Sequence, residues 1–577
     1  MDEGHFELIS TSSSFILQKD SSDSELHIDR SISQIQKKKS EKRLSTPSEK
    51  IFGIFGLIQL PSSSYLILIT KAIHVCRIKD SFIYMIQDIE FRPFNSITPT
   101  SPSYLSDQQT ISSLRSLIKT SSFYFSYTYD LTLSLQKIAE SGKNKSIYER
   151  SDEKYYWNKH LSEGFIKADA SEFTLIVVNG FVKGESVEVK GKRLDYVLIS
   201  RRDKRRTGTR FNTRGLDDQG NAVNFVETEQ IVIFLQEDTL KIFSHVQIRG
   251  SIPLIWQQKP NLSWTPRPKV LNSTQLNSSA AESHFSELHS TYGSVSLINL
   301  IDKKGSQKMI GTIFSNLSSL LSNKKLFYTW FDFHHECKNM KYENLKFLLK
   351  ELQSLVEEFN WCELELRPAD WFDKARVVRR QVGVFRTNCM DCLDRTNVVQ
   401  SVLARNVLLR QLSSVGLGPS PSGEAFQAFS NSLEGKFRDL WVQNADLMSL
   451  LYSGTPAQKT DFTKMGKRTF KGAFNDGVYS VQRFVINNFL DGSKQNAMDV
   501  MLGRLSIRTG VNLEWKFKSL ITFLAVLLVG FVLASSLAWG KEGFSYWTVF
   551  FTSFLLFGNL VKAFGTSLVD KPVINTN

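Results

Sequence analysis

A cysteine and an arginine separated by five residues are the most chemically informative feature of the sequence. Residues 385–397 spell FRTNCMDCLDRTN, in which Cys389 is the cysteine and Arg395 the arginine. A thiolate attacks phosphorus only when its pKa is lowered and the charge of the phosphate is held nearby. Backbone N–H groups in a loop between a strand and a helix N-terminus supply both effects. The spacing therefore predicts the loop of a cysteine-dependent phosphatase.

The flanking elements must position this loop. Residues 381–385, QVGVF, predict a short buried strand, and apolar residues recur at helical spacing after Arg395. These apolar residues are Val398, Val399, Val402, Leu403, Val407 and Leu408. Arg395 then lies in the first turn of a helix. Its planar guanidinium can bind two phosphate oxygens there and stabilise the transition state better than a lysine would.

Four residues are candidate catalytic groups. Cys389 is the predicted nucleophile and Arg395 the predicted phosphate clamp. Asp391 is the first choice of general acid and Asp394 the second, since either carboxyl could protonate the departing alkoxide. Either could instead cap the following helix or pair with an arginine.

The remaining loop residues are predicted to bind the phosphate. Backbone amides across 390–395 should hold its oxygens, which makes Met390, Cys392 and Leu393 substrate-binding residues. Thr396 could hydrogen-bond the thiolate. We interpret Cys392 as a packed or loop-shaping thiol, with capture of oxidised Cys389 in a disulfide as the alternative.

Cys389 and Cys392 also form a Cys-x-x-Cys pair, which could be a redox dithiol or half of a metal site. A zinc ion would need two further ligands, and the dense candidates are His334, His335 and Cys337. The sequence contains no second Cys-x-x-Cys. We expect no metal and no cofactor.

Residues 386–397 resemble the signature loop of the Sac-domain phosphoinositide phosphatases along their whole length. Further blocks resemble that family in its order: 156–161 (YWNKHL), a basic block at 200–230, 247–256 (QIRGSIPLIW) and 331–338 (FDFHHECK). The resemblance covers about residues 50–490. It implies metal-free hydrolysis of a phosphate from the inositol ring of a membrane lipid, through a phosphocysteine intermediate. By analogy His334 and His335 could lie near the pocket, although a single such histidine is more often structural.

Two charge-free runs near the C-terminus, 520–539 and 544–561, predict a transmembrane hairpin with the short turn GKEG. At 1.5 Å per residue the shorter run spans about 27 Å. The outer flanks of the predicted hairpin carry six cations, which are Arg504, Arg508, Lys516, Lys518, Lys562 and Lys571. The positive-inside rule places both flanks, and the preceding chain, in the cytosol. A buried helical pair in a soluble domain is the alternative.

The location follows from the hairpin. Residues 1–6 lack the basic start and apolar run of a secretory signal. Because the runs are short, they fit a thin early-secretory bilayer. We expect the endoplasmic reticulum membrane with a cytosolic catalytic domain, and a Golgi or post-Golgi membrane as the alternative. The hairpin-anchored branch of the resemblance implies phosphatidylinositol 4-phosphate as the main substrate, with other monophosphates possible.

The predicted fold class is α/β, with a β-rich unit packed on a catalytic unit whose sheet carries the loop at the C-terminal end of a strand. Residues 1–49, rich in Ser, Lys and Asp, predict a disordered arm. The predicted N-terminal subdomain spans 50–184, the catalytic subdomain 185–477 and a partly flexible juxtamembrane tether 478–519. Strands are predicted at 51–58 and 65–70, paired across a turn, and at 173–178 and 231–235.

The net charge of +14 includes a dense basic cluster. Its members are Arg201, Arg202, Lys204, Arg205, Arg206, Arg210 and Arg214. It could be a nuclear-localisation or nucleic-acid patch, a solvated basic face, or a wall that attracts an anionic lipid headgroup. The hairpin makes nucleic acid a poor partner, so we expect an anionic membrane surface and name Arg206 and Arg210 as substrate-binding residues.

These observations predict an enzyme that hydrolyses phosphatidylinositol monophosphates, foremost the 4-phosphate. A catalytically idle tether that binds phosphoinositides is the alternative from another functional class. The intact Cys389, Asp391 and Arg395 argue against it, because a pure binding protein has no need of a nucleophile.

Overall fold

The computed structural model describes residues 6–19, 23–40, 47–95, 101–141, 146–321, 324–418, 430–460, 469–505 and 569–574. The predicted transmembrane runs 520–539 and 544–561 lie outside these residues. Within the described ranges, no helix combines the length and the apolar character needed to cross a membrane.

The N-terminal residues form a small antiparallel sheet of five strands in the order β4-β3-β2-β1-β5. The strands are β1 (Phe6–Ser10), β2 (Ser14–Lys19), β3 (Ser24–Asp29), β4 (Ile35–Lys39) and β5 (Glu49–Ile51). Alternate apolar residues, such as Phe15 with Leu17 and Leu26 with Ile28, are buried in one cluster. The prediction of a disordered arm over 1–49 was therefore wrong for the described residues 6–19, 23–40 and 47–49. Its lysine-rich part is the exposed edge strand β4, whose charges protect an open sheet edge.

The chain next builds the antiparallel part of a larger sheet, with helices α1 to α4 inserted between strands. The strands are β6 (Gly53–Gln59), β7 (Ser64–Ile78), β8 (Ser81–Pro93), β9 (Phe123–Phe125), β10 (Val178–Val189), β11 (Lys192–Arg202), β12 (Val226–Gln236) and β13 (Thr239–Arg249). The helices are α1 (Pro102–Thr120), α2 (Leu135–Glu140), α3 (Ile147–Arg150) and α4 (Lys159–Lys167). The predicted pairing of 51–58 with 65–70 is confirmed as β6 and β7. The strand predicted at 173–178 was wrong, because a 3-10 turn at Ser171–Phe173 precedes β10.

The second half of the chain adds parallel strands and most of the helices. Its strands are β14 (Trp256–Gln257), β15 (Lys269–Val270), β16 (Ser294–Asn299), β17 (Leu326–Trp330), β18 (Cys362–Leu366), β19 (Arg376–Arg379) and β20 (Gly383–Asn388). Its helices are α5 (Thr274–Tyr292), α6 (Gly305–Leu320), α7 (Phe333–Glu336), α8 (Leu345–Glu351), α9 (Gln353–Phe359), α10 (Asp394–Ser414), α11 (Asn431–Ser453), α12 (Phe470–Phe489) and α13 (Asp491–Met501). Further 3-10 turns lie at Glu153–Tyr155, Lys338–Met340, Tyr342–Asn344 and Phe372–Lys374.

One sheet of 13 strands joins the two halves, with the main order β17-β16-β20-β13-β12-β11-β10-β9-β8-β7-β6. Strand β20 runs parallel to both β13 and β16, whereas β6 to β13 pair antiparallel. The mixed α/β fold class is thus confirmed. The predicted boundary at 184/185 was wrong, since it falls inside β10, and the ladder from β9 to β11 continues across it.

Helices cover both faces of β20 and so fix the direction of the loop that follows it. Val384 belongs to the apolar cluster formed with α5 and α6, and its neighbour Phe385 to the cluster formed with α8 to α11. Successive side chains of a strand point to opposite faces, so each is buried under a different helical layer. This double cover matches the near-continuous apolar character of residues 381–385.

The basic cluster of the sequence lies largely inside the fold rather than on a face. The guanidinium of Arg201 is fully buried and donates to Glu227 (3.1 Å) and Glu229 (2.7 Å) on the adjacent strand β12. Arg202 is also buried, where it donates to the Gly208 carbonyl (2.9 Å) and lies 5.6 Å from the ring centroid of Trp157. The expectation that the cluster as a whole faces a membrane was wrong. Arg201 and Glu227 face each other across the ladder of β11 and β12, which pairs this buried charge.

The C-terminal described residues are packed, which contradicts a flexible tether from 478 onward. Helix α13 is buried along most of its length, and its Met498 and Met501 enter an apolar cluster with α1. Arg504 donates to the carbonyl of Arg205 (2.7 Å). Gln495 and Asn496 give α13 the composition of a linker, but their side-chain oxygens accept tertiary bonds from the backbone N–H groups of Thr209 (3.0 Å) and Val573 (2.8 Å).

Replacement of Arg201 by methionine should lower the free energy of unfolding by about 3–5 kcal/mol, because it leaves two buried carboxylates without their cation. Chemical denaturation followed by circular dichroism measures this change. Arg193→Met is the matched control. Its exposed side chain lies 3.7 Å from Asp195, so its loss should cost less than about 1 kcal/mol. Equal effects of the two substitutions would contradict a buried ion network.

Candidate active site

The predicted strand, loop and helix are present around Cys389. Strand β20 ends at Asn388, residues 389–393 form the loop, and α10 begins at Asp394. The strand starts two residues later and ends three residues later than the predicted range 381–385. The loop therefore lies at the C-terminal edge of the parallel strands, with a helix N-terminus directed at it, where anions bind favourably.

The backbone of the loop is available for an anion. Within the described part of the chain, the N–H groups of Met390, Asp391, Cys392 and Leu393 have no hydrogen-bond acceptor. Cys392 has a positive φ of 53°, which turns the chain sharply inside the loop. Consecutive unsatisfied N–H groups at a sharp turn form the type of concavity that holds phosphate.

A cavity of about 200 Å³ opens beside the loop. Its lining residues are Arg210, Phe333, His334, Tyr342, Cys389, Asp391, Asp394, Arg395, Val398, Gln458, Lys459 and Arg483. Four of these side chains carry positive charge, so the cavity suits an anionic ligand. The structure thus brings together all four predicted catalytic residues and the predicted Arg210.

A wider cleft of about 370 Å³ lies elsewhere, bordered by β7, β10 and β11. Its cysteine, Cys76, is buried, and burial raises the pKa of this thiol to about 12. Since a neutral thiol is a poor nucleophile, the candidate active site is the smaller cavity at Cys389.

Two arginines bind the carboxylate of Asp391. Arg210 donates through Nε (3.1 Å) and Nη2 (2.8 Å), and Arg214 donates through Nη2 (2.7 Å). Burial raises the pKa of Asp391, but the charges of the two guanidinium groups outweigh burial and hold this pKa far below its ordinary value. Asp391 therefore stays ionised at neutral pH and has no proton to donate. The alternative in which an arginine pairs with Asp391 is therefore found, while the choice between Asp391 and Asp394 as general acid stays a prediction.

Asp394 is the other predicted acid, and it has different partners. Its Oδ1 accepts the backbone N–H of Gln458 (2.8 Å), and its Oδ2 lies 3.4 Å from Nη1 of Arg483. The carboxyl borders the cavity in the first turn of α10. A group that must exchange a proton with a leaving alkoxide needs access to the bound substrate, and this position provides it.

Arg395 contacts the loop that follows β16. Its Nη1 donates to the Leu300 carbonyl (3.0 Å), Asp302 Oδ1 (3.2 Å) and Gln307 Oε1 (3.2 Å). Asp302 Oδ1 also lies 2.9 Å from Nδ1 of His334. Burial raises the pKa of Asp302, but the bond to His334 and the charge of Arg395 lower it overall. Asp302 thus positions two cavity residues.

Asp302, Lys459 and Arg483 border or support the cavity but were not predicted from the sequence. One signal was available for Asp302: it follows β16, and parallel neighbouring strands end at the same edge of a sheet. Lys459 and Arg483 lie far from the loop in sequence, and no motif marks them. Only the packing of α12 against the loop brings them to the cavity.

The other predicted binding residues differ in their surroundings. Met390 accepts a bond from Arg214 through its carbonyl (3.0 Å), and Leu393 is buried against Val223 and Tyr452. The hydroxyl of Thr396 is buried and makes no hydrogen bond to Cys389 or to any other described residue. Arg206 donates to the Arg214 carbonyl (2.9 Å), and the structure does not bring it to the border of the cavity.

Cys392 is packed beneath the loop. Its thiol donates to the Gly250 carbonyl (2.9 Å), and burial raises its pKa to about 12. Arg249 lies beside it, donating from Nη1 to the Cys392 carbonyl (3.4 Å) and to Asn397. Burial lowers the pKa of Arg249 to about 10, while the nearby cysteines oppose this change. Arg249 thus places a buried guanidinium directly behind the loop.

The residues weighed for a metal site do not meet at the loop. His334 borders the cavity, whereas the exposed His335 bonds to Glu336 (3.1 Å) and Cys337 is buried with a pKa raised to about 12. Among the described residues, no group of three or more His, Cys, Asp or Glu side chains is arranged to hold a metal ion.

A family comparison and several individual relatives all point to one protein family. The family described as the SacI homology domain matches residues 52–338. The chain is 40% identical over 504 residues to an uncharacterised protein of Schizosaccharomyces pombe. This alignment covers 85% of the chain and 81% of that protein. The chain is 37% identical over 497 residues to phosphatidylinositol-3-phosphatase SAC1 of Drosophila melanogaster, covering 84% and 81%. The protein of the same name in Saccharomyces cerevisiae is 36% identical over 471 residues, covering 79% and 72%.

Treatment of the native protein with iodoacetamide at about pH 8 should leave Cys392 unmodified, because a buried thiol with a pKa near 12 stays neutral. Cys389, which borders the cavity, should be alkylated in the same sample. Peptide mass spectrometry measures both, and the protein in denaturant is the control in which both react. Modification of Cys392 in the native protein would contradict its packed position.

Proposed function

Because this chain belongs to the family of SacI homology domain proteins, we propose that it is a phosphoinositide phosphatase that removes a ring phosphate from phosphatidylinositol monophosphates. The observation that carries the proposal is the loop 389–393, whose free N–H groups and cysteine border a cationic cavity. The names of the Drosophila and yeast relatives describe the same class of activity.

The proposed reaction has two steps. In the first, the Cys389 thiolate attacks phosphorus, the S–P bond forms and the bond from phosphorus to the inositol oxygen breaks, while this oxygen takes a proton from Asp394. In the second, water attacks phosphorus and gives its proton to Asp394, the S–P bond breaks and inorganic phosphate leaves. Loop amides and Arg395 stabilise the charge on the phosphoryl oxygens in both steps.

Asp391 has a structural role in this proposal. Its charge holds Arg210 at the cavity and Arg214 against the Met390 carbonyl. Arg210 is then positioned to bind the anionic headgroup, and Lys459 adds a second cation at the cavity. A carboxylate bound by two guanidinium groups organises charge rather than donating a proton.

We propose the 4-phosphate as the main substrate, on the strength of the resemblance to the membrane-anchored branch. The printed names of the relatives make the 3-phosphate the first competitor. The membrane-anchored branch itself is inferred from the apolar runs 520–539 and 544–561.

The wild-type protein should release phosphate from phosphatidylinositol 4-phosphate faster than from the other phosphoinositides, measured as free phosphate across a panel of all monophosphates and bisphosphates. Cys389→Ser should reduce release by at least about 10⁴-fold, because serine at this position forms no covalent intermediate. Cys392→Ser is the matched control and should retain substantial activity. Binding without release by the wild type would support the idle tether instead. Faster release from the 3-phosphate would overturn the substrate preference alone.

Asp394→Asn should slow hydrolysis of an inositol phosphate by about 10²-fold or more, but should slow an aryl phosphate much less, since a good leaving group needs no proton. Asp391→Asn should slow both substrates to a similar degree, because it releases two arginines from the loop. Steady-state kinetics on both substrates measures the difference. A leaving-group dependence for Asp391→Asn alone would return the role of acid to Asp391.

We also propose that the protein resides in the endoplasmic reticulum membrane with its catalytic part in the cytosol, a Golgi or post-Golgi membrane being the alternative. The short apolar runs and their cationic flanks support this. A fluorescent fusion should co-localise with a marker of the endoplasmic reticulum. Co-localisation with a plasma-membrane marker would contradict the proposal.

A further inference from the structure

Helix α12 presents an apolar stripe to solvent, which is the reverse of an ordinary surface helix. The exposed fractions are 91% for Phe470, 65% for Phe474, 38% for Val478 and 57% for Val481. Positions i, i+4, i+8 and i+11 share one side of a helix. We call these four residues the α12 stripe. A surface helix normally buries such a row, and an exposed one marks an interaction site.

Polar contacts on the opposite side of α12 prevent the helix from turning its stripe inward. The Asp476 carboxylate lies 3.2 Å from the backbone N of Lys459, and Ser480 accepts a bond from Gln458 (2.8 Å). Arg483 is buried and donates to Thr455 (2.7 Å). The same arginine lies 3.4 Å from the catalytic candidate Asp394. Rotation of the helix would leave these buried groups without hydrogen-bond partners, which is unfavourable.

A tryptophan extends the apolar surface. Trp264 is 58% exposed and stacks on Phe484 of α12, with ring centroids 5.5 Å apart and an interplanar angle of 13°. Tryptophan favours the boundary between lipid and water because its ring is amphipathic. Exposed Lys471 lies on the same helix. This combination of aromatic, aliphatic and cationic side chains suits an anionic bilayer surface.

We propose that the α12 stripe, together with Trp264, docks into the bilayer that contains the substrate. This inference rests on the proposed function, because a lipid phosphate reaches the cavity only if the opening of the cavity faces a membrane. Helix α12 forms one wall of that cavity through Arg483. Its polar side completes the active site and its apolar side enters the lipid, so docking orients the active site toward the headgroups.

The course of the chain supports a bilayer as the occupant rather than a protein. The described chain stops at Leu505, just after α13, and resumes at Val569. Asp570 then donates its N–H to the Asn488 carbonyl of α12 (2.7 Å) and accepts the N–H of Ser493 in α13 (2.9 Å). The C-terminal end of segment 506–568, which holds the two apolar runs, is therefore attached at the junction of α12 and α13, and its N-terminal end follows α13. A bilayer that holds those runs is therefore held close to α12.

A dye attached at position 474 tests the contact directly. Both labelled variants carry Cys389→Ser, which removes the native thiol that borders the cavity, and the other four native cysteines are buried. Phe474→Cys then introduces an accessible thiol for an environment-sensitive maleimide. The full-length protein is reconstituted into vesicles of phosphatidylcholine, phosphatidylserine and phosphatidylinositol 4-phosphate, with and without lipids that carry a spin label on the acyl chain. The matched control is Phe347→Cys on α8, whose side chain is 55% exposed.

Acyl-chain spin labels should quench the dye at position 474 at least about twofold more than the dye at position 347. Equal quenching at the two positions would overturn the proposal. A dye at 474 that is shifted to the blue but not quenched would show a protein cover, from a second copy or from another part of this chain, and would also overturn it.

Activity provides a second readout. The combined variant Phe470→Gln, Phe474→Gln and Val481→Gln should lose about tenfold or more of its rate on lipid in vesicles and keep its rate on a soluble short-chain phosphoinositide. Leu320→Gln with Phe347→Gln should change neither rate. Equal loss on both substrates would show a structural role for the stripe and overturn docking. If the wild type hydrolyses neither substrate, the proposed function fails, while the quenching result still decides whether the stripe enters the bilayer.

Discussion

The ion cluster of Asp391 with Arg210 and Arg214 is the interaction on which the candidate site depends. It joins the loop after β20 to a segment between β11 and β12 that lies about 180 residues earlier in the chain. Arg214 is fixed in turn by aromatic rings, with its guanidinium 5.2 Å from the ring centroid of Trp256 and 5.8 Å from that of Tyr452. Because a buried guanidinium must be paired, the loop conformation and the surrounding packing stabilise each other.

The large sheet positions this ion cluster. Strand β13 pairs antiparallel with β12 and, near its end, parallel with β20. The change of direction gathers the C-terminal ends of β16 and β20 at one edge, where the loop with Cys389 meets Asp302. Ligands of α/β sheets bind at such edges because the strands stop and helix N-termini converge there. The predicted subdomain boundary at 184/185 would therefore divide the same sheet that supports the site.

Helix α12 links the chemistry to a surface. Its polar side supplies Arg483 and holds Gln458 and Lys459, whereas its apolar side has no described cover. An enzyme that acts on a lipid headgroup must solve two problems at once, binding an anion and finding the bilayer. In helix α12 the polar side contributes to anion binding and the apolar side is proposed to contact the bilayer. Because the inner side must be polar, the apolar residues of the helix point outward.

The sequence by itself determined the local part of this protein: the apolar run of β20, the loop with Cys389 and Arg395, and the helical spacing after it. These features depend on neighbouring residues, so periodicity and motif suffice to predict them. Only the tertiary structure decided the pairing of Asp391 with two arginines, the burial of Arg201 and the folding of residues 6–19 and 23–39 into a sheet. Each depends on a partner distant in sequence or on an adjacent strand, and the charge of a carboxyl or the fate of a polar strand follows from that partner rather than from local composition.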